Sequence, residues 1–348
     1  MYAGHAGPVP TRHRLLAMLV AVLWGVNFIA IHATLVQFPP FFAVALRWAP
    51  LAIAAVLFVP KPDVAWRWIL LYGLGFGILQ FTFLYWGMAT GMPAGLASLV
   101  LQSSAPFTVV LGALLGEHLS PRRGLGVLIA VGGLAVVGSQ RGDVSAVWPF
   151  VLTVLGGLGW AVGNLAVRRA RATQPVRLTM WMSVVPPIPM FLLSLVVEGP
   201  TRIADSLTTL GTQVGLAAVL GLIYTSLIAT VIGTGIWSWL MARHPAGTVA
   251  PFSMLVPVTG LTSAWLLLGE RPSLVEWLGC AIVVVGVLLT AGGRHTPRPS
   301  PAASAPTVEN ATIRADASGQ SRGKAAVTSS SRSLASRSAI VARTPSVP

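Results

Sequence analysis

Long apolar stretches separated by short polar turns follow one another along residues 15–292. Each stretch holds about twenty residues, the length that an α-helix needs to cross a bilayer, and lacks the alternation of a barrel strand. Pairs such as Pro39-Pro40 and Gly199-Pro200 mark the turns. The predicted helices lie at about 15–36, 41–60, 67–89, 94–116, 123–139, 147–167, 177–197, 213–241, 246–268 and 274–292. The pattern therefore predicts an all-α integral membrane protein with ten transmembrane helices.

An internal repeat divides these helices into two groups of five. The segment Gly91–Glu117 and the segment His244–Glu270 both run from a Pro-Ala pair to Leu-Leu-Gly-Glu. The offset is 245 − 93 = 152 at the start and 270 − 117 = 153 at the end. A repeat of this length indicates one structural module present twice. Because five is odd, the second module must enter the membrane upside down, as in many secondary transporters.

The chain is thus predicted to have four parts. Residues 1–14 form a polar N-terminal arm, 15–140 the first five-helix repeat and 146–292 the second. Residues 293–348 are rich in Ser, Ala, Arg and Pro and show no apolar periodicity. Such a composition cannot bury a core, so we expect a disordered basic tail.

Composition excludes a soluble protein and argues against a nucleic-acid partner. Only 9% of the residues are charged and 54% are hydrophobic, whereas soluble domains carry about 25% charged residues. The net charge of +14 would suit nucleic acid, but eight of the 23 basic residues lie in the tail and most others in alternate short loops. This distribution is typical of membrane topology. The single cysteine, Cys280, can form no intrachain disulfide and is expected to be buried.

The basic loop residues also predict the orientation, because cytoplasmic loops carry an excess of Lys and Arg. With both termini in the cytoplasm, the outer loops hold only Arg141, Arg202 and Arg271. The inner loops then hold Arg12, Arg14, Lys61, Arg67, Arg122, Arg123, Arg168, Arg169, Arg171, Arg177 and Arg243.

Arg47 is the most informative candidate for a functional site. It lies about seven residues into the second predicted helix, or roughly 10 Å along it. An arginine near a helix centre costs about 2.5–3.5 kcal/mol in a membrane. We expect it to face a central cavity and to pair with a substrate carboxylate, since guanidinium suits bidentate pairing. The equally weighted alternative is that it snorkels to the outer interface.

Other polar side chains at membrane depth predict the rest of that cavity. Trp24 and Asn27 lie one turn apart on the first helix, and Trp160 and Asn164 repeat the pair on the sixth. Amides at this depth either line a route or bond across helices, and the second role is the more frequent. The remaining candidates for substrate binding are Gln80, Tyr85, Gln102, Tyr224 and Ser253.

The sequence lacks several residues and motifs that common transport and enzyme mechanisms require, and this limits the functions that it predicts. Between the loops there is no Asp or Glu near mid-membrane, so a proton relay built on a buried carboxylate is disfavoured. Two options stay open: facilitated flux, or a proton carried by His32, although a lone histidine near an interface is more often only a hydrogen-bonding residue. The sequence has no P-loop, no Rossmann fingerprint, no HExxH and no GxSxG motif. We therefore predict no enzymatic activity, no cofactor and no metal site.

The ten helices, the antiparallel repeat and the paired Leu-Leu-Gly-Glu endings resemble the EamA family of the drug/metabolite transporter superfamily over residues 15–292. Four segments look similar to segments of the bacterial exporters of O-acetylserine and cysteine: Trp24–Phe28, Gly91–Gln102, Val249–Pro251 and Leu255–Val258. The resemblance implies an efflux permease for small amino-acid metabolites in the bacterial inner membrane.

Together these observations predict a secondary transporter that exports such metabolites by alternating access around a central cavity. The expected partners are a small-molecule substrate and the lipid bilayer, and the pattern is also compatible with a homodimer. Two alternatives stay open at this point. One is a broader drug or metabolite exporter, and the other is a non-transporting scaffold or sensor whose basic tail binds a partner.

Overall fold

The computed structural model describes residues 10–140, 144–244 and 246–291, and within these ranges the chain is helical without a strand. Nine helical stretches of the described chain are long and apolar enough to cross a membrane, and a shorter tenth follows. In order, spans 1 to 10 are Thr11–Gln37, Pro40–Phe58, Trp66–Ala89, Ala94–Leu114, Pro121–Ser139, Val144–Ala170, Pro175–Val197, Gln213–Arg243, Ala250–Leu268 with the preceding turn Ala246–Val249, and Leu274–Ala291. The predicted all-α membrane fold of two five-helix repeats is confirmed. The predicted tail at 293–348 lies outside the described residues.

Successive spans run in opposite directions, so each end of the bundle collects alternate connections. The end at which span 1 begins is the inner end, and the opposite end is the outer end. A short amphipathic helix, Pro200–Thr208, lies at the outer end between spans 7 and 8. The orientation predicted from basic residues places the inner end in the cytoplasm.

The two repeats interlock, because the main partners of almost every span lie in the other repeat. Span 1 packs against spans 8 and 9, and span 6 packs in the corresponding way against spans 3 and 4. Spans 2 and 7, 4 and 9, and 5 and 10 form the remaining large contacts. Large side chains such as Trp48, Tyr85 and Leu152 are fully buried between them. Each repeat therefore depends on the other for its core.

Departures from α-helix occur in matched pairs. Span 3 contains the π-helix Gly73–Gln80 and span 8 the π-helix Tyr224–Gly233. Shifting the first by the repeat offset gives 73 + 152 = 225 and 80 + 152 = 232, within the second. Spans 4 and 9 likewise contain the 3₁₀ segments Leu101–Ser103 and Ala250–Met254. π-helical turns are rare in proteins, and those that occur are often at functional sites. The matched pair therefore makes the centre of the bundle the first place to look for a functional site.

Two prolines account for the 3₁₀ segments. Pro106 and Pro257 lie inside the helices that follow these segments. A proline has no N–H to give to the carbonyl four residues earlier, which is Gln102 in span 4 and Ser253 in span 9. At these two carbonyls, which lack their usual helical partner, the helix winds more tightly as a 3₁₀ turn. The polar residues Gln102 and Ser253 therefore lie at the two irregular turns.

The contact between spans 5 and 10 gives a direct test of helix packing. A Cβ at Gly126 would lie 2.6 Å from the Gly286 carbonyl oxygen and 2.8 Å from the Thr290 nitrogen, whereas a Cβ at Gly132 would meet nothing within 4 Å. We expect Gly126→Ala to cost about 1–3 kcal/mol through overpacking. Gly132→Ala, on the same helix, should leave stability unchanged or slightly raised. Thermal unfolding of both variants in detergent checks this, and equal midpoints would contradict the packing.

Candidate functional site

Arg47 of span 2 is bound to the π-helix of span 8 through both its side chain and its main chain. Its Nη2 donates to Thr230 Oγ1 at 2.9 Å, and its carbonyl oxygen accepts from Ser226 Oγ at 2.8 Å. The residue is only 3% exposed. The guanidinium thus lies inside the bundle, where the two repeats meet, and not at the lipid surface.

Aromatic rings cover this guanidinium. Its Cζ lies 4.2 Å from the ring centroid of Phe81 and 5.2 Å from that of Trp48. Contacts of this kind attract a cation by roughly 0.5–2 kcal/mol. Among the residues that the structure describes, Arg47 forms no ion pair with a carboxylate. A buried charge without a counter-ion is costly, and in a membrane it is by default a candidate for function.

Several polar atoms at this place have no hydrogen-bond partner among the described residues. They include Nε and Nη1 of Arg47, Nε1 of Trp48 and the hydroxyl of Tyr85. The Tyr85 hydroxyl nevertheless lies close enough to the Arg47 guanidinium and to Thr225 to interact with both, although neither contact has the geometry of a well-formed hydrogen bond. Native structures leave few buried polar atoms unpaired, so a group of them needs an explanation. The Arg47 cluster is defined as Arg47, Trp48, Phe81, Tyr85 and Thr230.

Two predicted site residues connect spans 1 and 8. Trp24 donates from Nε1 to the Ala229 carbonyl at 2.9 Å, and the Tyr224 hydroxyl donates to the Leu23 carbonyl at 3.0 Å. The Trp24 ring also lies 5.3 Å from the ring of Trp237. Both polar groups are therefore satisfied by main-chain carbonyls, and they hold the helices together.

Other predicted residues lie at the irregular turns or beside them. The Gln102 Nε2 lies 3.7 Å from the sulfur of Met254, which joins the two 3₁₀ segments. Ser253 donates to the Ala250 carbonyl at 2.7 Å. Asn27 and Gln80 are buried, and the side-chain oxygen of each has no partner among the described residues. His32, by contrast, is exposed on the outside of the bundle.

The last two predicted residues lie on span 6 and lead towards the inner end. The ring of Trp160 lies 6.1 Å from that of Phe76. Asn164 donates from Nδ2 to Thr108 Oγ1 of span 4 at 3.2 Å. One turn further along span 6, Arg168 forms an ion pair with Glu117 at 3.1 Å. Span 6 thus makes two polar contacts with the first repeat, one to span 4 and one to Glu117, which follows span 4.

A cavity of about 190 Å³ opens at this inner end. Sequence reasoning did not assign its residues to a site, although the repeated Leu-Leu-Gly-Glu motif ends at Glu117. The inner cavity is defined by its lining residues Thr108, Val109, Ala113, Glu117, His118, Leu119, Arg123, Arg168 and Thr290.

Two interlocked helical repeats with irregular, polar turns at the centre have the architecture of secondary membrane transporters. Residues 12–139 and 147–292 each match the EamA-like transporter family, and the chain belongs to that family. It is a multi-pass membrane protein of a family of small-molecule transporters.

Relatives of this chain have names that point to amino-acid export. A protein of Escherichia coli (strain K12) named "Probable amino-acid metabolite efflux pump" is 38% identical over 286 residues, 80% of this chain and 94% of the relative. A protein of the same name from Salmonella typhimurium is 38% identical over 295 residues, 82% of this chain and 97% of the relative. The "Probable terminal-alkyne amino-acid exporter" of Streptantibioticus cattleyicolor is 28% identical over 59% of this chain and 66% of the relative.

Proposed function

We propose that this protein exports small amino-acid metabolites similar to cysteine and O-acetylserine across the bacterial inner membrane. Arg47 would bind the substrate carboxylate, and the interlocked repeats would expose it to each side in turn. The observation that carries the proposal is a buried arginine between the repeats, without a carboxylate partner, whose Nε and Nη1 make no well-formed hydrogen bond to the described residues and have the Tyr85 hydroxyl as a neighbour. The names of the relatives at 38% identity support the same substrate class.

The geometry of the guanidinium suits a carboxylate and favours it over a neutral group. A guanidinium carries five N–H groups and offers two edges on which a carboxylate can bind bidentately. Thr230 is bound by Nη2, which has one hydrogen on each edge. Occupying one of these hydrogens leaves the other edge complete. The α-carboxylate is the group that amino-acid metabolites share, so one bidentate contact would admit substrates with different side chains.

The environment of Arg47 also supports alternating access. The guanidinium is covered by Phe81 and Trp48 of the first repeat and bound to Thr230 of the second. A carboxylate can reach it only if these elements separate. Single π-helical turns inside α-helices are frequent at functional sites, and the π-helix Tyr224–Gly233 holds both Thr230 and Ser226. Movement of span 8 against span 2 would then couple substrate binding to opening.

Flux of labelled substrate tests the proposed function. Purified protein in liposomes should move radiolabelled cysteine and O-acetylserine faster than protein-free liposomes do. The rate with and without an imposed pH gradient will show whether protons are coupled to transport. Absence of flux for both compounds would remove the amino-acid assignment while leaving the family membership intact.

The proposed orientation predicts which connections can be labelled from outside the cell. In a Cys280→Ala background, a cysteine at Gly211 lies at the outer end and a cysteine at Thr173 at the inner end; both positions are exposed. We expect a membrane-impermeant maleimide to label Gly211→Cys in intact cells and Thr173→Cys only after permeabilisation. The reverse pattern would place both termini in the periplasm.

A further inference from the structure

We infer that the inner cavity is a second substrate site, at which the ammonium and carboxylate groups of an amino acid bind before the substrate reaches Arg47. The inference rests on the proposed function and assigns the uptake step to Glu117 and Arg168. No residue that lines the inner cavity belongs to the Arg47 cluster. The two sites are therefore separate.

The charges of the inner cavity match a zwitterion. Glu117 and Arg168 form an ion pair at 3.1 Å, and the half-buried Arg123 lines the same space. A carboxylate is thus available for a substrate ammonium, and two guanidinium groups for a substrate carboxylate. The side chains of Arg168 and Glu117 are 47% and 45% exposed. Exposed ion pairs contribute only about 0.2–1 kcal/mol, so a substrate can exchange partners with this pair at little cost.

The size of the inner cavity favours a small metabolite. Its volume is about 190 Å³. Pockets for drug-sized ligands are larger, about 300–1,000 Å³. A molecule such as cysteine can enter a space of this size, whereas a drug-sized compound exceeds it.

The two copies of the Leu-Leu-Gly-Glu motif use their glutamates differently. Glu270 accepts hydrogen bonds from the amides of Ala94 and Gly95 at 2.7 and 3.0 Å, which binds its charge to the first turn of span 4. Glu117 instead faces an exposed guanidinium beside a cavity. The second copy therefore has a structural role, and the first is suited to recognise a cation.

A series of contacts leads from the inner cavity towards Arg47, beginning at Thr108, which lines the cavity and accepts a hydrogen bond from Asn164 of span 6. Trp160, one turn beyond Asn164 on span 6, contacts Phe76 at 6.1 Å between ring centroids. Phe76 contacts Phe81 at 5.6 Å, and Phe81 covers Arg47 at 4.2 Å. These rings separate the two sites. Substrate held at the inner cavity would pass them when the repeats move.

The test combines a change in the protein with a change in the substrate. Everted membrane vesicles present the inner end to the medium, and uptake of labelled cysteine into them measures export. The inhibition constant of unlabelled 3-mercaptopropionate, which is cysteine without its ammonium, is measured in the same vesicles. Wild type, Glu117→Gln and Arg168→Gln are compared, with Arg169→Gln as the control because Arg169 is exposed next to Arg168 and does not line the cavity.

If Glu117 binds the ammonium, Glu117→Gln raises the half-saturation concentration for cysteine about tenfold and leaves the inhibition constant of 3-mercaptopropionate unchanged. Arg168→Gln raises both the half-saturation concentration for cysteine and the inhibition constant of 3-mercaptopropionate, and Arg169→Gln leaves both at their wild-type values. An equal effect of Glu117→Gln on both compounds, or no effect on either, overturns the inference, as does an Arg168→Gln variant that binds both normally. Failure of 3-mercaptopropionate to bind wild type within a hundredfold of cysteine also overturns it.

Unfolding midpoints equal to wild type confirm that the variants fold. If wild type moves neither cysteine nor O-acetylserine, the proposed function itself fails; if wild type transports and the variants do not discriminate between the two compounds, only the second site fails.

Discussion

Replacing Arg47 with glutamine is expected to weaken the apparent affinity for cysteine by roughly 10- to 150-fold, since a hydrogen bond to a charged group contributes about 1.5–3 kcal/mol. Glutamine can still bond to Thr230 but carries neither the charge nor the bidentate edge. Arg47→Lys keeps the charge without the fork, so we expect an intermediate loss. Initial rates of cysteine flux against concentration, in liposomes with equal amounts of each variant, measure the effect.

Two controls separate substrate binding from structure. Thr230→Val removes the acceptor for Arg47 Nη2 and leaves the guanidinium in place, so it should retain more transport than Arg47→Gln does. Thermal unfolding should show whether Arg47→Gln remains folded, and removing an unpaired buried charge is expected to leave the midpoint unchanged or raised. A folded Arg47→Gln protein with the half-saturation of wild type would contradict the role of Arg47.

Glu270→Ala is expected to lower the free energy of unfolding more than other substitutions at the ends of the spans do. The Glu270 carboxylate accepts from the amides of Ala94 and Gly95 at 2.7 and 3.0 Å, and both of these residues are buried. Without it, two amides at the start of span 4 lose their acceptor, at about 1–3 kcal/mol each. The loss should reach roughly 2–6 kcal/mol, and the unfolding midpoint in detergent should fall by many degrees.

The other copy of the motif provides the matched control. Glu117 follows the same Leu-Leu-Gly sequence but pairs with the exposed Arg168. Removing an exposed ion pair costs at most about 1 kcal/mol, so Glu117→Ala should unfold close to wild type. Equal losses of stability in Glu270→Ala and Glu117→Ala would show that the hydrogen bonds from the first turn of span 4 to Glu270 do not stabilise the protein as their distances indicate.

The fold was predictable from the sequence because the bilayer imposes a length on each helix. Ten apolar stretches of about twenty residues left few alternatives, and the repeated segments ending at Glu117 and Glu270 predicted the pairing of the halves. The π-helices at Gly73–Gln80 and Tyr224–Gly233 were not predictable. They depend on how glycines and hydroxyl residues of one helix meet a neighbour, which no single stretch of sequence records.

The candidate site was predictable only in part. The cost of burying a charge singled out Arg47, but its contacts with Thr230 and Ser226 join residues about 180 positions apart. Trp24 and Tyr224 were predicted to line the cavity, yet both donate to main-chain carbonyls and hold helices together. Whether a polar group in a membrane is satisfied depends on the helix opposite to it, and that is a property of the packing.

The most direct measurement of the central claim is competition against labelled cysteine flux by wild-type protein in liposomes. Three unlabelled compounds are compared: cysteine, 3-mercaptopropionate without the ammonium, and cysteamine without the carboxylate. If Arg47 binds the carboxylate, cysteine competes best, 3-mercaptopropionate competes more weakly, and cysteamine competes least, at a concentration at least tenfold higher than cysteine requires. Competition by cysteamine at the same concentration as cysteine would show that the carboxylate is not recognised.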